Sequence, residues 1–303
     1  MRYSQEAKGD WGHMHGGPEV MIATEQVRAA DGCKLFVRTW NADSDDVLLL
    51  LHGLGAHSGW FIDFGNELAA RGLTVYAMDH RGFGRSEGAP GHIDRAGRYI
   101  EDIWCVVSEI RERHPGARVY ILGHSMGGIF ATHFAARYED MLAGVIFLNP
   151  WVQDSSRLPV GNTLGIFMGG LFKSKRAWQV AGGPDVMTGN PEAVQMLEAD
   201  PLWHRTQTAT FLVQILRMRL AVPRLAKRIT IPALVIQCEQ DKAVIPAGTR
   251  KLYETLASRD KTWQAYPTYH HNFEFEAERK QLDDDLVAWI HEQASVAGKT
   301  YSA

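Results

Sequence analysis

The chain has 303 residues, of which 45% are hydrophobic and 22% are charged, and its formal net charge is −3. This balance is typical of a globular protein and excludes a disordered tail or a coiled coil. It gives no reason to expect nucleic-acid or polyanion binding, and the length allows one large core or two modest ones.

Residues 1–20 are polar and lack the apolar run of a signal peptide, so we expect a flexible lead-in. The longest apolar runs are too short to cross a bilayer. The three cysteines, Cys33, Cys105 and Cys238, lie far apart in apolar stretches without metal-ligand spacing. They indicate buried free thiols in a reducing compartment, and the sequence predicts a soluble, cytoplasmic protein.

The first regular pattern is an alternation over residues 33–40, which predicts one strand of an antiparallel edge hairpin. Short, wholly apolar strands separated by helices follow, and this pattern is typical of a parallel sheet covered on both faces. The predicted strands are 47–51, 73–78, 119–122, 145–148, 233–238 and 262–266. The predicted helices are 58–71, 94–113, 128–138, 247–257 and 280–293.

Between residues 151 and 228 the alternation of strands and helices stops, and no apolar strand is recognisable. We therefore predict an α/β fold whose mostly parallel, doubly wound sheet is formed by residues 21–150 and 229–303. Residues 151–228, the predicted cap segment, would be a helical insertion after the sixth strand. Such an insertion covers the strand ends, where ligands bind in sheets of this kind.

A candidate nucleophile follows the strand 119–122 in the pattern Gly-His-Ser-Met-Gly, with Ser125 at its centre. A serine at a sharp turn between a strand and a helix is exposed and oriented for attack. A second match, centred on Ser86, follows a loop and precedes Gly-Ala-Pro-Gly, which cannot begin a helix. Ser125 is therefore the predicted nucleophile.

A nucleophilic serine needs a base, and the base needs an orienting acid, in the chain order Ser, acid, His in doubly wound hydrolases. Asp241, three residues after the strand 233–238, is the favoured acid, with Asp154 and Glu239 as alternatives. The acidic run 283–285 is interpreted instead as a solvated helix face.

Two adjacent histidines, His270 and His271, follow the last predicted strand and are the candidate bases, and spacing alone does not choose between them. The oxyanion formed during acyl transfer needs two preorganised N–H donors. The backbone amides of Met126 and of Leu54, in the loop after strand 47–51, are the candidates. This chemistry requires no cofactor, and no metal cluster, phosphate loop or dinucleotide motif is recognisable in the sequence.

Several segments together resemble one family. They are His52-Gly53-Leu54-Gly55-Ala56-His57-Ser58, the loop 79–88, the turn 123–128, Asp200-Pro201-Leu202, and the stretch 231–244 with Asp241. From about Val27 onwards the chain resembles the monoacylglycerol lipase/lysophospholipase group of α/β-hydrolases. That family carries a Tyr-Pro-Gly-x-x-His stretch with a Glu five residues after the His. Aligned without a gap, this pattern matches residues 266–276 and implies His271 as base. A one-residue deletion in the alignment would imply His270 instead. Thr268 stands where the family has the Gly.

The resemblance implies a serine hydrolase that cleaves monoacylglycerols, lysophospholipids or other medium- to long-chain acyl esters through an acyl-enzyme on Ser125. Alternatives are a thioester or small aryl ester substrate, or a low-turnover small-molecule receptor on the same fold. The apolar stretch 164–172, followed by Lys173, Lys175 and Arg176, is either a patch that transiently contacts lipid surfaces or a cap helix packed on the pocket.

Overall fold

The computed structural model describes residues 20–153, 182–276 and 279–300, together with 165–166, 168–170, 172 and 174–179. The predicted lead-in therefore lies almost wholly outside the described residues. In the described part of the chain the main sheet has eight strands. They are β1 (Ile22–Arg28), β2 (Lys34–Trp40), β3 (Asp46–Leu51), β4 (Thr74–Met78), β5 (Arg118–His124), β6 (Gly144–Leu148), β9 (Ala233–Cys238) and β10 (Lys261–Tyr266).

The strand order is β1-β2-β4-β3-β5-β6-β9-β10. β1 and β2 form an antiparallel hairpin that adds to β4 in antiparallel register, and the remaining neighbours pair in parallel. The central strands β3, β4 and β6 are buried along their whole length. This explains why they appear in the sequence as continuous apolar runs. The predicted fold class, a mostly parallel doubly wound sheet, is confirmed.

The helices of the core lie on both faces of this sheet. They are α1 (Ile62–Ala70), α2 (Gly97–Arg113), α3 (Met126–Tyr138), α7 (Pro246–Thr255) and α8 (Lys280–Thr300). Two large clusters of buried side chains, one on each face of the sheet, form the core. The predicted helix 58–71 begins as a 3-10 helix, Ser58–Phe61, and the last helix extends to Thr300 rather than ending at 293.

The predicted cap segment contains α4 (Pro184–Met187), α5 (Pro191–Ala199) and α6 (Ala209–Ala226). It also contains two short strands, β7 (Ala177–Gln179) and β8 (Thr206–Thr208), which form a separate antiparallel pair. Sequence analysis did not predict this pair, because its residues are largely polar. Among the described residues, no helix is long and apolar enough to cross a membrane.

Two predictions about burial are wrong. Of the three thiols only Cys238 is fully buried, whereas Cys33 and Cys105 are partly exposed. Cys33 immediately precedes the hairpin strand β2 near the edge of the sheet, where its thiol donates to the carbonyl oxygen of Glu87 at 3.5 Å. Conversely, Asp283 on α8 is buried and pairs with Arg279 at 3.2 Å, so the acidic run is not uniformly solvated.

Candidate active site

Ser125 occupies the turn between β5 and α3, with φ +53° and ψ −114°. A non-glycine residue at positive φ is strained, and such strain is typical of a serine held at a strand–helix elbow. The flanking glycines let the two elements approach, since a β-carbon at Gly123 would lie 2.4 Å from the carbonyl oxygen of Gly127. The serine is 7% exposed, so its neighbours enclose it almost completely.

Asp241 and His271, 30 residues apart in sequence, are joined by a hydrogen bond. The Nδ1–H of His271 donates to Oδ2 of Asp241 at 2.7 Å, and the aspartate side chain is fully buried. The other carboxylate oxygen accepts from the amides of Ala243 at 2.7 Å and Val244 at 2.9 Å. These bonds fix the carboxylate, and they leave Nε2 as the basic nitrogen of His271.

His270 points elsewhere. Its Nδ1 and its backbone N–H both contact Oε1 of Glu276, at 2.8 Å and 2.9 Å. Its ring packs against Gly189 of the predicted cap segment, where a β-carbon would lie 2.4 Å from the histidine Cε1. The glutamate that the family pattern places five residues after the base thus binds the neighbouring histidine in this chain.

The residue before the serine links the elbow to the loop of His271. Burial lowers the pKa of His124 well below its ordinary value, so its ring is neutral. Its Nε2–H donates to the carbonyl oxygen of His271 at 2.9 Å, and the two rings lie 5.0 Å apart. Ser125 and His271, both among the described residues, share no direct hydrogen bond. Such bonds are often long in an enzyme without substrate and tighten in the complex.

The loop after β3 lies against the serine. A β-carbon at Gly53 would be 3.2 Å from the Ser125 Cβ and 3.6 Å from its Oγ. His52, which burial keeps neutral by lowering its pKa to about 3, accepts from the amide of His80 at 2.9 Å and donates to the carbonyl oxygen of Gly53 at 2.8 Å.

The carbonyl of Gly53 and the amide of Leu54 belong to one trans peptide and point in opposite directions. Anchoring the carbonyl at His52 therefore directs the Leu54 N–H away from that ring. No acceptor for this amide is found within the described part of the chain. The Met126 amide is the first of helix α3, where N–H groups lack helical acceptors and the helix dipole favours an anion.

A contact that sequence analysis missed joins this loop to the predicted cap segment. Oδ2 of Asp200 accepts from His57 Nε2 at 2.9 Å and from Trp60 Nε1 at 2.8 Å, and the histidine and aspartate side chains are each only 1% exposed. The amide of His204 also donates to the carbonyl oxygen of Gly55 at 2.9 Å. Asp200 and His57 both lie in segments that resemble the family, but their pairing over 143 residues is not visible in the sequence.

The other candidate residues have different surroundings. Ser86 donates to the carbonyl oxygen of Asp79 at 2.6 Å and accepts from the amide of Phe36 at 2.8 Å, which makes it part of a turn. Glu239 is exposed at the end of β9. Asp154 lies outside the described residues. Among those that are described, no group of three or more His, Cys, Asp or Glu side chains is arranged to hold a metal ion.

Comparison with known proteins gives concordant matches. The family model described as serine aminopeptidase, S33 (Hydrolase_4) matches residues 42–278. The chain is 30% identical over 263 residues to a monoacylglycerol lipase of Mycolicibacterium smegmatis, covering 86% of this chain and 93% of that protein. It is 28% identical over 277 residues to the human monoglyceride lipase, covering 89% and 90%.

A solved structure of a monoglyceride lipase variant from Saccharomyces cerevisiae superposes with a TM-score of 0.79 at 17% identity, over 91% of this chain and 98% of that one. At that identity the match shows a shared fold. The long sequence matches show more, since they run through the elbow, the loop after β3 and the loop of Asp241. The chain therefore belongs to the Hydrolase_4 family of α/β-hydrolases.

Proposed function

We propose that this chain is a serine carboxylic ester hydrolase that acts on monoacylglycerols or similar acyl esters, with Ser125 as nucleophile, His271 as base and Asp241 as orienting acid. The observation that carries the proposal is the 2.7 Å bond between His271 Nδ1 and Asp241. This bond leaves Nε2 as the basic nitrogen of His271. The backbone carbonyl of His271 in turn accepts a hydrogen bond from His124, the residue before the serine.

The reaction follows from these positions. His271 Nε2 takes the hydroxyl proton as Ser125 Oγ attacks the ester carbonyl, and the amides of Leu54 and Met126 bind the oxyanion. Collapse of the tetrahedral intermediate transfers the proton to the leaving alcohol and leaves an acyl group on Ser125. Water then attacks this ester with the same base, which releases the fatty acid and restores the serine.

The relatives of this chain support the substrate class. Two curated proteins that match over about nine tenths of their length are named as monoacylglycerol and monoglyceride lipases. A buried apolar cluster also joins the loop after β3, the predicted cap segment and the short helix Phe273–Phe275, so the surroundings of this loop are apolar. Its members are Ala56, Trp60, Met187, Ala193, Leu197, Trp203 and Phe275. We propose that the cap segment covers the site and selects the chain length.

The experiment is hydrolysis of a p-nitrophenyl ester series from acetate to palmitate and of monoacylglycerols, with an aminoacyl p-nitroanilide as amide control. Ser125→Ala and His271→Ala should lower kcat by about 10⁴- to 10⁶-fold. The matched variants His270→Gln and Glu239→Gln should retain kcat within about threefold. An active Ser125→Ala enzyme would refute the assignment, and a wild-type enzyme that cleaves only the anilide would refute the ester substrate.

We further propose that the cap segment contacts lipid surfaces through exposed apolar side chains on two packed elements. Phe172 and Leu220 are 74% and 71% exposed, and Met168 and Leu216 are 41% and 39% exposed. The two elements pack closely, since a β-carbon at Gly170 would lie 2.4 Å from Val213 Cγ2 on α6. Exposed basic residues close to them in sequence, Lys175 and Arg176 before β7 and Arg217 on α6, favour anionic head groups.

Sedimentation with vesicles of phosphatidylcholine, with and without phosphatidylglycerol, tests this contact. Phe172→Asp and Leu220→Asp should each weaken binding several-fold without changing hydrolysis of a water-soluble ester. Met21→Asp, which changes another exposed apolar residue, should leave binding unchanged. Equal binding by all these variants would refute the proposed surface. Phe167, in the stretch that first indicated it, lies outside the described residues.

A further inference from the structure

Asn149 is the first residue after β6 and is completely buried. Its φ of +43° lies in the left-handed region, which asparagine tolerates better than most side chains. Its backbone amide donates to the carbonyl oxygen of Ile236 at 3.0 Å and so continues the pairing of β6 with β9. Sequence analysis assigned no role to this residue.

The side chain of Asn149 bridges two loops that are distant in sequence. Its Nδ2 donates to the carbonyl oxygen of His271 at 2.9 Å, and its Oδ1 accepts from the backbone amide of Cys238 at 2.7 Å. Cys238 is the last residue of β9, and its carbonyl oxygen accepts from the amide of Asp241 at 3.2 Å. One primary amide thus holds the strand end that leads to Asp241 and the backbone of His271.

We propose that Asn149 is a positioning residue that sets the distance between the acid-bearing and base-bearing loops, an inference that rests on the proposed roles of Asp241 and His271. One hydrogen bond joins the two side chains directly, and its strength depends on the separation of the two loops. The amide of Gln240 also donates to the carbonyl oxygen of Tyr269 at 3.0 Å, so Asn149 acts together with a backbone bond between these loops.

The carbonyl oxygen of His271 receives a second donor, Nε2–H of His124, at 2.9 Å. With both donors in place the peptide after His271 cannot rotate without breaking a buried hydrogen bond. His124 ties this carbonyl to the serine, whereas Asn149 ties it to the strand of the acid. The two contacts therefore fix the base relative to both of its partners.

Two variants separate this role from a contribution to folding alone. Asn149→Asp is nearly isosteric and keeps the acceptor for Cys238, but it replaces the donor to His271 by an oxygen. Asn149→Gly removes the side chain, buries no charge and accepts positive φ without strain. Asn66→Asp is the matched control. Asn66 is also buried, and its Oδ1 accepts from Trp40 Nε1 at 2.9 Å rather than from the loops of Asp241 or His271.

The assay measures kcat and KM on a water-soluble p-nitrophenyl ester as a function of pH, together with the low-field proton NMR resonance of the His–Asp hydrogen bond. Both Asn149 variants should lower kcat by about 10- to 100-fold with KM changed less than about threefold, since small misplacements of catalytic groups have effects of this size. The acidic limb of the kcat/KM profile should move to lower pH, because an imidazolium with a misplaced carboxylate loses its proton more readily. The resonance should shift or broaden.

Asn66→Asp should lower the melting temperature and leave kcat, the pH profile and the resonance unchanged. If the Asn149 variants behave like Asn66→Asp, Asn149 is only a structural residue and the inference is wrong. Failure of the proposed function has a different signature, since His271→Ala would then stay active whatever the Asn149 variants do. If Asn149→Asp does not fold, Asn149→Gly decides the outcome alone.

Discussion

The α-carbon of Gly127 lies against the carbonyl group of Leu51, so closely that a β-carbon there would be 2.1 Å from the carbonyl oxygen and 2.8 Å from its carbon. Leu51 ends β3 and is followed at once by the loop that carries Leu54. The turn that carries Ser125 and the loop that carries Leu54 therefore meet backbone to backbone. Gly127 is the last glycine of the Gly-x-Ser-x-Gly pattern, and its φ is not positive. Glycine is therefore required here by the close approach of the Leu51 backbone and not by its backbone conformation.

Gly127→Ala should destabilise the fold by on the order of 3 kcal/mol or prevent folding, because the added methyl group meets the rigid backbone of Leu51 and His52. Urea denaturation followed by circular dichroism measures the loss. Gly97→Ala is the matched control. Its added β-carbon would lie 3.2 Å from the flexible end of Arg95, and alanine favours the helix there. A Gly127→Ala protein as stable as the Gly97→Ala protein would contradict the close contact.

Asp200→Ala should destabilise the protein by about 2–4 kcal/mol, because it removes the shared acceptor of two buried donors, His57 and Trp60. Although burial alone would raise it, the pKa of Asp200 is lowered by hydrogen bonds from those residues. The contribution of this group is therefore present at neutral pH and lost as the pH falls through its lowered pKa.

Thermal melts of the wild type and Asp200→Ala at pH 7 and at pH 3 test both statements. The difference in melting temperature should be larger at pH 7. Glu192→Ala, at an exposed position on α5 of the same cap segment, should show no difference at either pH. A pH-independent loss in Asp200→Ala would mean that packing rather than the ionised carboxylate stabilises this contact.

The sheet and the elbow could be predicted because their signals are local. Runs such as β3 are buried on both faces and so are apolar at every position, and the glycines around Ser125 mark a turn between a strand and a helix. Asp241 could be favoured because the order of elements places the end of β9 at the same edge of the sheet.

What the sequence could not reveal depends on contacts across the fold. His270 and His271 are equivalent by spacing. The ring of His270 binds Glu276 and packs against Gly189, whereas the ring of His271 binds Asp241. Asn149 binds Cys238 and His271, which are about 90 and 120 positions away in sequence. No sequence pattern around Asn149 predicts these contacts. The burial of Asp283 follows from the side of α8 that faces the core, with Arg279 one turn earlier as its partner.

His52→Leu should lower kcat by about 10²- to 10³-fold with a small change in KM, the cost of losing one oxyanion donor. Without the imidazole, the carbonyl of Gly53 loses its 2.8 Å hydrogen bond and keeps the longer one from the amide of Ala56 at 3.4 Å, so the peptide that carries the Leu54 amide is held less firmly. Steady-state kinetics on a short-chain ester measure the effect. His133→Leu, which removes a histidine bound to the carbonyl oxygen of Met218 on α6, serves as control and should keep kcat. Equal kcat in the two variants would argue against Leu54 as a donor.

Glu274 is completely buried on the short helix that follows His271, and burial raises its pKa to about 7. Its Oε1 accepts from Asn272 Nδ2 at 2.7 Å. Among the described residues, neither Glu274 Oε2 nor Asn272 Oδ1 has a hydrogen-bond partner. A proton on Glu274 Oε2 could be donated to Asn272 Oδ1, so that the acid and the amide would form two hydrogen bonds. The protonated form of Glu274 therefore suits this site.

Because the folded state holds this proton more tightly than the unfolded state, where the ordinary value is about 4.5, Glu274 stabilises the fold fully below pH 4.5. The contribution is lost as the pH rises toward 7. Glu274→Gln has a permanent donor in place of the titrating oxygen. It should therefore match the wild type near pH 5 and exceed it in melting temperature at pH 8, with Glu192→Gln unchanged at both. A Glu274→Gln protein that is no more stable than the wild type at pH 8 would show that the buried carboxylate finds compensation elsewhere.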